Sequence, residues 1–204
     1  MRTLLVTGGI GSGKSAVCAY LRERGIPVYD SDARTRRLYE EDPELLPALE
    51  DAFSVRLRTP DGRLDRRKLA GIIFSDPARL QELEAVVHPA VLRDFMTWRD
   101  HRTDAAFVVL ESAIAQDRPL FDGIYDAVLL VTAPESQRLE RACRRDDSAP
   151  EAVLARMKAQ HFDPARADAV VNNDQDLATL RHRTDIALKL LSLQPVSPMD
   201  AERT

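Results

Sequence analysis

Five short runs of apolar residues punctuate the chain, at 4–6, 26–29, 107–110, 127–131 and 169–171. They are rich in Val, Ile and Leu and do not alternate with polar residues. Each therefore predicts a strand covered on both faces, as in a parallel sheet. Helical patterns lie between them. Val17, Tyr20 and Leu21 recur at i, i+3 and i+4, and Gly25 stands where a helix stops. Strands that alternate with helices predict an open α/β sheet with right-handed crossovers.

One interval breaks that rhythm. Residues 32–103 hold no run that predicts a buried strand. Segments such as PELLPALEDAF and PARLQELEAVVHPAVLRDFMTWRDH predict helices, and TPDGR at 59–63 predicts a turn. A second helical excursion follows Pro134, broken by Pro150 and Pro164. The division predicted is a core of residues 1–32, 104–135 and 166–192, a helical insertion at 33–103 and a small helical piece at 136–165. The tail at 193–204, with two prolines and few apolar residues, is expected to be disordered.

Composition narrows the classes. A chain of 204 residues, 44% hydrophobic and 30% charged, has ordinary globular proportions. A net charge of −4 gives no global basic field, so no nucleic-acid partner is expected. The cysteines, Cys18 and Cys143, form neither a CxxC pair nor a Cys/His cluster, so no zinc site is expected. No apolar run approaches the roughly 20 residues that span a bilayer. A cytoplasmic protein without a membrane partner is the expectation.

Chemistry concentrates at the first strand's exit. Gly8, Gly9, Gly11 and Gly13 are half of the chain's eight glycines, and Gly8, Gly13, Lys14 and Ser15 fit GxxxxGK[ST] between a strand and a helix. A phosphate chain must approach backbone N–H groups closely, and a Cβ would obstruct that approach or the φ > 0 it requires. The amides of Gly11, Gly13, Lys14 and Ser15 then converge on a phosphate at the helix N-terminus. Lys14 pairs with β- and γ-oxygens, and the Ser15 hydroxyl ligates Mg²⁺. A hydrolase, a kinase and a nucleotide-sensing switch all fit this loop. The NKxD segment of regulatory GTPases and the LSGGQ signature of transporter ATPases are absent, which favours a small-molecule kinase.

A kinase needs a carboxylate to orient the acceptor and cations around the moving phosphoryl. Asp30 and Asp32 follow the second strand, where the carboxyl edge of a parallel sheet meets the glycine loop. Asp32 is equally well placed to cap the following helix. Arg138, Arg141 and Arg145 share a helical face that can close over phosphates, although a solvated face paired with Glu135 and Glu140 fits the same spacing.

With these residues in place, the chain resembles the dephospho-coenzyme A kinases over residues 4–173. TGGIGSGKS at 7–15, VYDSDARTRRL, the stretch DGRLDRRKLAGIIFSDP…LEAVVHPAV ending in His88-Pro89, RLERACRRDD and ADAVVNND follow that family's order. The resemblance implies a parallel sheet of about five strands, a helical coenzyme A domain at 33–103 and a lid at 136–165. It implies ATP and Mg²⁺, and phosphorylation of the ribose 3′-hydroxyl of dephospho-CoA. Gly8, Gly9, Gly11, Ser12, Gly13, Lys14, Ser15 and Ala16 become the ATP loop, with Arg141 and Arg145 as lid contacts. Asp32 becomes the catalytic carboxylate alongside Lys14 and Arg141. Thr7, Asp30, Arg66 and His88 fall to the acceptor.

Two departures stand out. LESAIAQDRPLF at 110–121 replaces the family's usual PLL.E stretch, so a carboxylate there, Glu111 or Asp117, serves Mg²⁺ through water or caps the next turn. The segment 160–168 is short, which puts the lid junction and Arg166 outside the pattern. Another small kinase, with a nucleoside, nucleotide or shikimate-like acceptor, and a non-catalytic nucleotide switch are the competing functions. A monomer or weak homo-oligomer is expected.

Overall fold

The computed structural model describes residues 1–160 and 163–193. Most of the tail expected to be disordered lies outside the described residues. Its first residue, Leu193, is buried in the core.

The chain divides into two compact units, one of Met1–Asp30 with His101 onward and one of Ser31–Asp100. The first is built on five parallel strands, β1 (Arg2–Thr7), β2 (Val28–Asp30), β3 (Phe107–Glu111), β4 (Ala127–Thr132) and β5 (Ala169–Asn172), in the order β2-β3-β1-β4-β5. Their apolar residues are nearly all sealed. Leu4, Leu5, Val6, Val109, Leu129 and Val131 have no exposed surface. Burial of each such side chain contributes about 1.5–3 kcal/mol. Each strand runs on past its apolar stretch to a polar residue at its carboxyl end: Thr7, Asp30, Glu111, Thr132 and Asn172. The register sets these ends side by side, Val6 against Glu111, Asp30 against Glu111 and Thr132 against Asn172. In a parallel sheet with β1 at the centre, that edge is where a ligand crevice forms.

Helix α1 (Lys14–Glu23) leaves the loop after β1 and buries Val17, Cys18 and Leu21. Tyr20, placed by its spacing on the core face, is instead half-buried. Its hydroxyl donates to Asp185 at 2.8 Å, and Cys18 takes the core position. Gly25, at φ +76°, closes the helix as its sequence position predicts. Its N–H donates to the Arg22 carbonyl, and Ile26 N–H reaches the Leu21 carbonyl at 3.0 Å. The unit is completed by 3₁₀ turns at Ala115–Asp117, Pro119–Phe121 and Pro164–Arg166 and by the C-terminal helix Leu177–Leu190.

The second unit is helical: α2 (Ser31–Glu41), α3 (Leu45–Phe53), α4 (Arg66–Ser75) and α5 (Pro77–Asp100). Among its described residues the β pairing is one isolated bridge, Arg58–Leu64, around the predicted turn, where Gly62 has φ +84°. Val87, Ala90, Val91 and Phe95 form the buried stripe of α5, with Leu38, Leu45, Leu49 and Phe53 from α2 and α3 buried in the same unit. Arg34 forks Asp94 at 2.9 and 2.6 Å, tying α2 to α5.

Two further helices belong to the first unit, α6 (Glu135–Asp146) and α7 (Pro150–Lys158). Pro150 opens α7 at its first turn, where its missing N–H costs nothing. Among the described residues no helix is long and apolar enough to cross a membrane.

Candidate active site

The glycine loop is held from three sides. Gly8, Gly11 and Gly13 have φ of +143°, +74° and +101°, which L side chains rarely adopt. Space excludes a side chain as well: a Cβ would strike the Val131 carbonyl at Gly8, the Arg138 side chain at Gly9, the Arg138 backbone at Gly11 and the Asn173 amide at Gly13. The glycines are thus required by the walls around the loop as much as by its own turns.

Helices α6 and α7 form one wall. Ile10 packs against a small core of Ala142, Val153 and Met157. Its N–H donates to the Gln160 side chain at 2.6 Å, and its carbonyl accepts from Arg138 Nε at 3.0 Å. Arg138, expected to share a phosphate-facing helical face with Arg141 and Arg145, clamps the loop's backbone instead. Burial lowers its pKa.

Gly11, Gly13, Lys14 and Ser15 line a cavity of about 200 Å³ together with Arg141 and Arg145. Two arginines of α6 thus face the amides that open α1, whose first N–H groups have no partner within the helix. Arg141 is fixed by Nη2, which donates to Gln137 at 2.9 Å and to the Asn173 carbonyl at 3.1 Å. Its Nη1 is buried with no hydrogen-bond partner among the described residues. A buried guanidinium nitrogen left unsatisfied beside a glycine loop suits an anion. Arg145 grips Asp146 through Nε at 2.7 Å and Nη2 at 3.1 Å. Lys14 donates to the Gly8 and Gly9 carbonyls at 2.6 and 3.2 Å. Of the other predicted loop residues, Gly8, Gly9 and Ser12 build the turn, and Ala16 sits in the first turn of α1.

Of the two carboxylates in the variant segment, Glu111 is the one that meets the glycine loop. It ends β3, is buried, and accepts from the Ser15 hydroxyl at 2.8 Å. Its Oε2 has no hydrogen-bond partner among the described residues, and Arg22 lies 3.8 Å from it. Burial pushes the Glu111 carboxyl above its ordinary pKa; the Ser15 hydrogen bond opposes this and the Asp30 charge adds to it. Cys18 lies beneath, its thiol raised well above its usual value by burial and then by the Glu111 charge, so it stays neutral. Asp117 is exposed in a 3₁₀ turn. The buried residue of that turn is Gln116, whose side chain bonds both backbone groups of Asp163 at 3.0 and 3.1 Å. Arg166 donates to the carbonyl of the same Gln116.

Ser15, Glu111 with its orphaned oxygen, and Asp30 paired in register beside it offer hard oxygen donors that fit Mg²⁺. Among the described residues no three His, Cys, Asp or Glu side chains cluster as a complete metal cage. An Mg²⁺ held by one or two protein oxygens, completed by phosphates and water, needs none. Thr7, expected beside the acceptor, ends β1 fully buried, with no hydrogen-bond partner for its hydroxyl among the described residues. Asp32 stands in the first turn of α2, two residues past the end of β2. Arg66 opens α4, donating to the Arg36 carbonyl at 3.2 Å and lying over the Tyr39 ring. His88 lies within α5 before Pro89. Those three belong to the helical unit. The sequence reading missed Ile10, Gln160 and Asn173 altogether.

A family model described as dephospho-CoA kinase matches residues 3–179. A curated dephospho-CoA kinase of Deinococcus radiodurans is 40% identical over 201 residues, covering 94% of this chain and 93% of that protein. One from Porphyromonas gingivalis is 40% identical over 169 residues, 83% of this chain and 82% of that protein. A crystal structure of a Thermus thermophilus protein matches with a TM-score of 0.77 at 39% identity, over 95% of this chain and 98% of that one. A shikimate kinase of Bacteroides thetaiotaomicron, with a TM-score of 0.52 at 14% identity, shares the fold alone.

Proposed function

The chain belongs to the dephospho-CoA kinase family, and from that premise we propose how its own residues transfer a phosphoryl group from ATP to dephospho-CoA. The activity is the last step of coenzyme A synthesis: ATP phosphorylates the ribose 3′-hydroxyl of dephospho-CoA. A new bond forms between that oxygen and the γ-phosphorus, the bond from the γ-phosphorus to its bridging oxygen breaks, and ADP leaves.

The observation that carries the assignment of residues is the cavity where Gly11, Gly13, Lys14 and Ser15 face Arg141 and Arg145. The loop amides hold the β-phosphate. Lys14 exchanges its loop carbonyls for β- and γ-oxygens. Arg141 offers its unsatisfied Nη1 to the charge that builds on the moving phosphoryl. Arg145 releases Asp146 and joins it. Asp32 orients the 3′-hydroxyl and accepts its proton, with Asp30, Arg66 and His88 serving the acceptor side. Ser15 and Glu111 would hold Mg²⁺, which neutralises charge on the β- and γ-oxygens when bound.

The metal assignment has its own test. Glu111→Gln keeps the Ser15 hydrogen bond but halves the site's anionic character. Its half-saturating Mg²⁺ concentration should rise about tenfold or more, with ADP affinity in metal-free buffer changing little. An unchanged Mg²⁺ requirement would remove Glu111 from the metal site.

A further inference from the structure

Resting on the assignment of the loop to ATP, we propose that Asn173 is a positioning residue that aims the Gly13 N–H and Arg141 at the same phosphate. Asn173 is the first residue past β5, and it is buried to 9% exposure. Three of its groups are engaged, each with a different part of the site. Its backbone N–H donates to the Thr132 carbonyl at 2.7 Å, extending the β4–β5 ladder by one step. Its side-chain Nδ2 donates to the Ser12 carbonyl at 2.9 Å in the interior. Its carbonyl accepts from Arg141 Nη2 at 3.1 Å.

The Ser12 contact fixes more than one oxygen. The Ser12 carbonyl and the Gly13 N–H belong to one planar trans peptide, so they point in opposite directions. Holding the carbonyl on Asn173 sends the N–H the other way, and Gly13 is one of the residues that line the cavity. The Ser12 hydroxyl is buried and has no hydrogen-bond partner among the described residues, so the side chain gives this peptide no second anchor. Nor is there slack: a Cβ on Gly13 would land on Asn173 Nδ2. The same residue thus sets a donor of the loop with its side chain and a guanidinium of α6 with its backbone, across a separation of 161 residues in sequence.

Only a side-chain donor of this size serves. Aspartate has the same shape but would set a carboxylate oxygen against the Ser12 carbonyl, and would add negative charge near the incoming phosphates. The proposal therefore predicts an order that lost volume alone would not produce. Asn173→Asp should bind ADP more weakly than Asn173→Ala.

The experiment is calorimetric titration of ADP in metal-free buffer for wild type, Asn173→Ala and Asn173→Asp, with KM for ATP and for dephospho-CoA and the melting temperature of each. The expected result is a loss of ADP affinity of about tenfold in Asn173→Ala. Asn173→Asp should lose more, and KM for dephospho-CoA should stay within about twofold of wild type. Unchanged ADP affinity in Asn173→Ala would overturn the proposal. So would an Asn173→Asp that binds at least as tightly as Asn173→Ala, or a loss shared equally by both substrates that tracks the melting temperature. The isosteric Asn173→Asp decides the matter if the alanine variant does not fold. A wild type that binds ADP but leaves dephospho-CoA untouched would refute the assigned reaction while leaving the ADP comparison standing.

Discussion

Lys14 donates its ammonium protons to two carbonyls of its own loop, Gly8 and Gly9. Phosphate oxygens are stronger acceptors than these amides, because the bond they form is assisted by charge on both sides. Lys14→Ala should therefore weaken ATP binding and lower the rate together, measured as a rise in the ADP dissociation constant alongside a fall in kcat. A variant that kept full affinity and lost only rate would place Lys14 on the moving phosphoryl alone. At this scale the sequence was partly legible. Lys14 and Ser15 announce themselves because the motif is local and each glycine has a steric reason. Glu111 stood only as one of two candidate carboxylates and Asn173 not as a site residue at all, since their partners Ser15 and Ser12 lie 96 and 161 residues away. The available signal for Glu111 was a charge at the end of a fully apolar strand, and only the register of β3 against β1 and β2 shows what it faces.

Besides their shared apolar core, helices α6 and α7 are linked by a carboxylate. Asp146 accepts from Arg145 on its own helix and pairs with Arg156 of α7 at 2.9 Å. The Arg145 hydrogen bond, then that of Arg156, holds the Asp146 carboxyl down to about 2 against an ordinary 3.8. A carboxyl depressed in the folded state contributes stability above its unfolded pKa and loses it as pH falls through the folded value. The contribution is complete above about pH 4 and disappears towards pH 2. The pair is partly exposed, so solvent screening keeps it small. Asp146→Asn should lower the melting temperature by at most a few degrees at neutral pH. That difference should shrink as pH falls from 4 towards 2; a difference that held constant over the range would show that the carboxylate is not the link. The strands were legible at this scale because burial on both faces leaves an unbroken apolar run. The helix faces were less so. Tyr20 left the predicted core face because a tyrosine can send its hydroxyl to Asp185 at the surface, while the small Cys18 thiol packs in the core near Glu111.

The molecule pairs a nucleotide-binding sheet with a helical unit of Ser31–Asp100. The sheet order, with β1 at its centre, brings the glycine loop, Glu111 and Asn173 to one carboxyl edge. The alternation of strands and helices predicted such a sheet, but not which strands are neighbours. Neighbour choice depends on contacts between segments more than 100 residues apart, such as Arg2 against Phe107. The helical interval was visible as an absence of strand-like runs. A task for it is implied only by the resemblance its motifs carry, since solvated arginines such as Arg37 look alike whatever they serve. Acceptor choice is the property that belongs to this scale.

The most direct measurement is mass-spectrometric detection of product from ATP and Mg²⁺ with dephospho-CoA, adenosine or shikimate as acceptor, for wild type and Asp32→Asn. Wild type should phosphorylate dephospho-CoA alone among the three acceptors, giving coenzyme A, and Asp32→Asn should turn over about a hundredfold or more slowly at unchanged ATP affinity. Full turnover by Asp32→Asn would contradict the catalytic assignment, and a phosphorylated adenosine or shikimate without coenzyme A would contradict the acceptor.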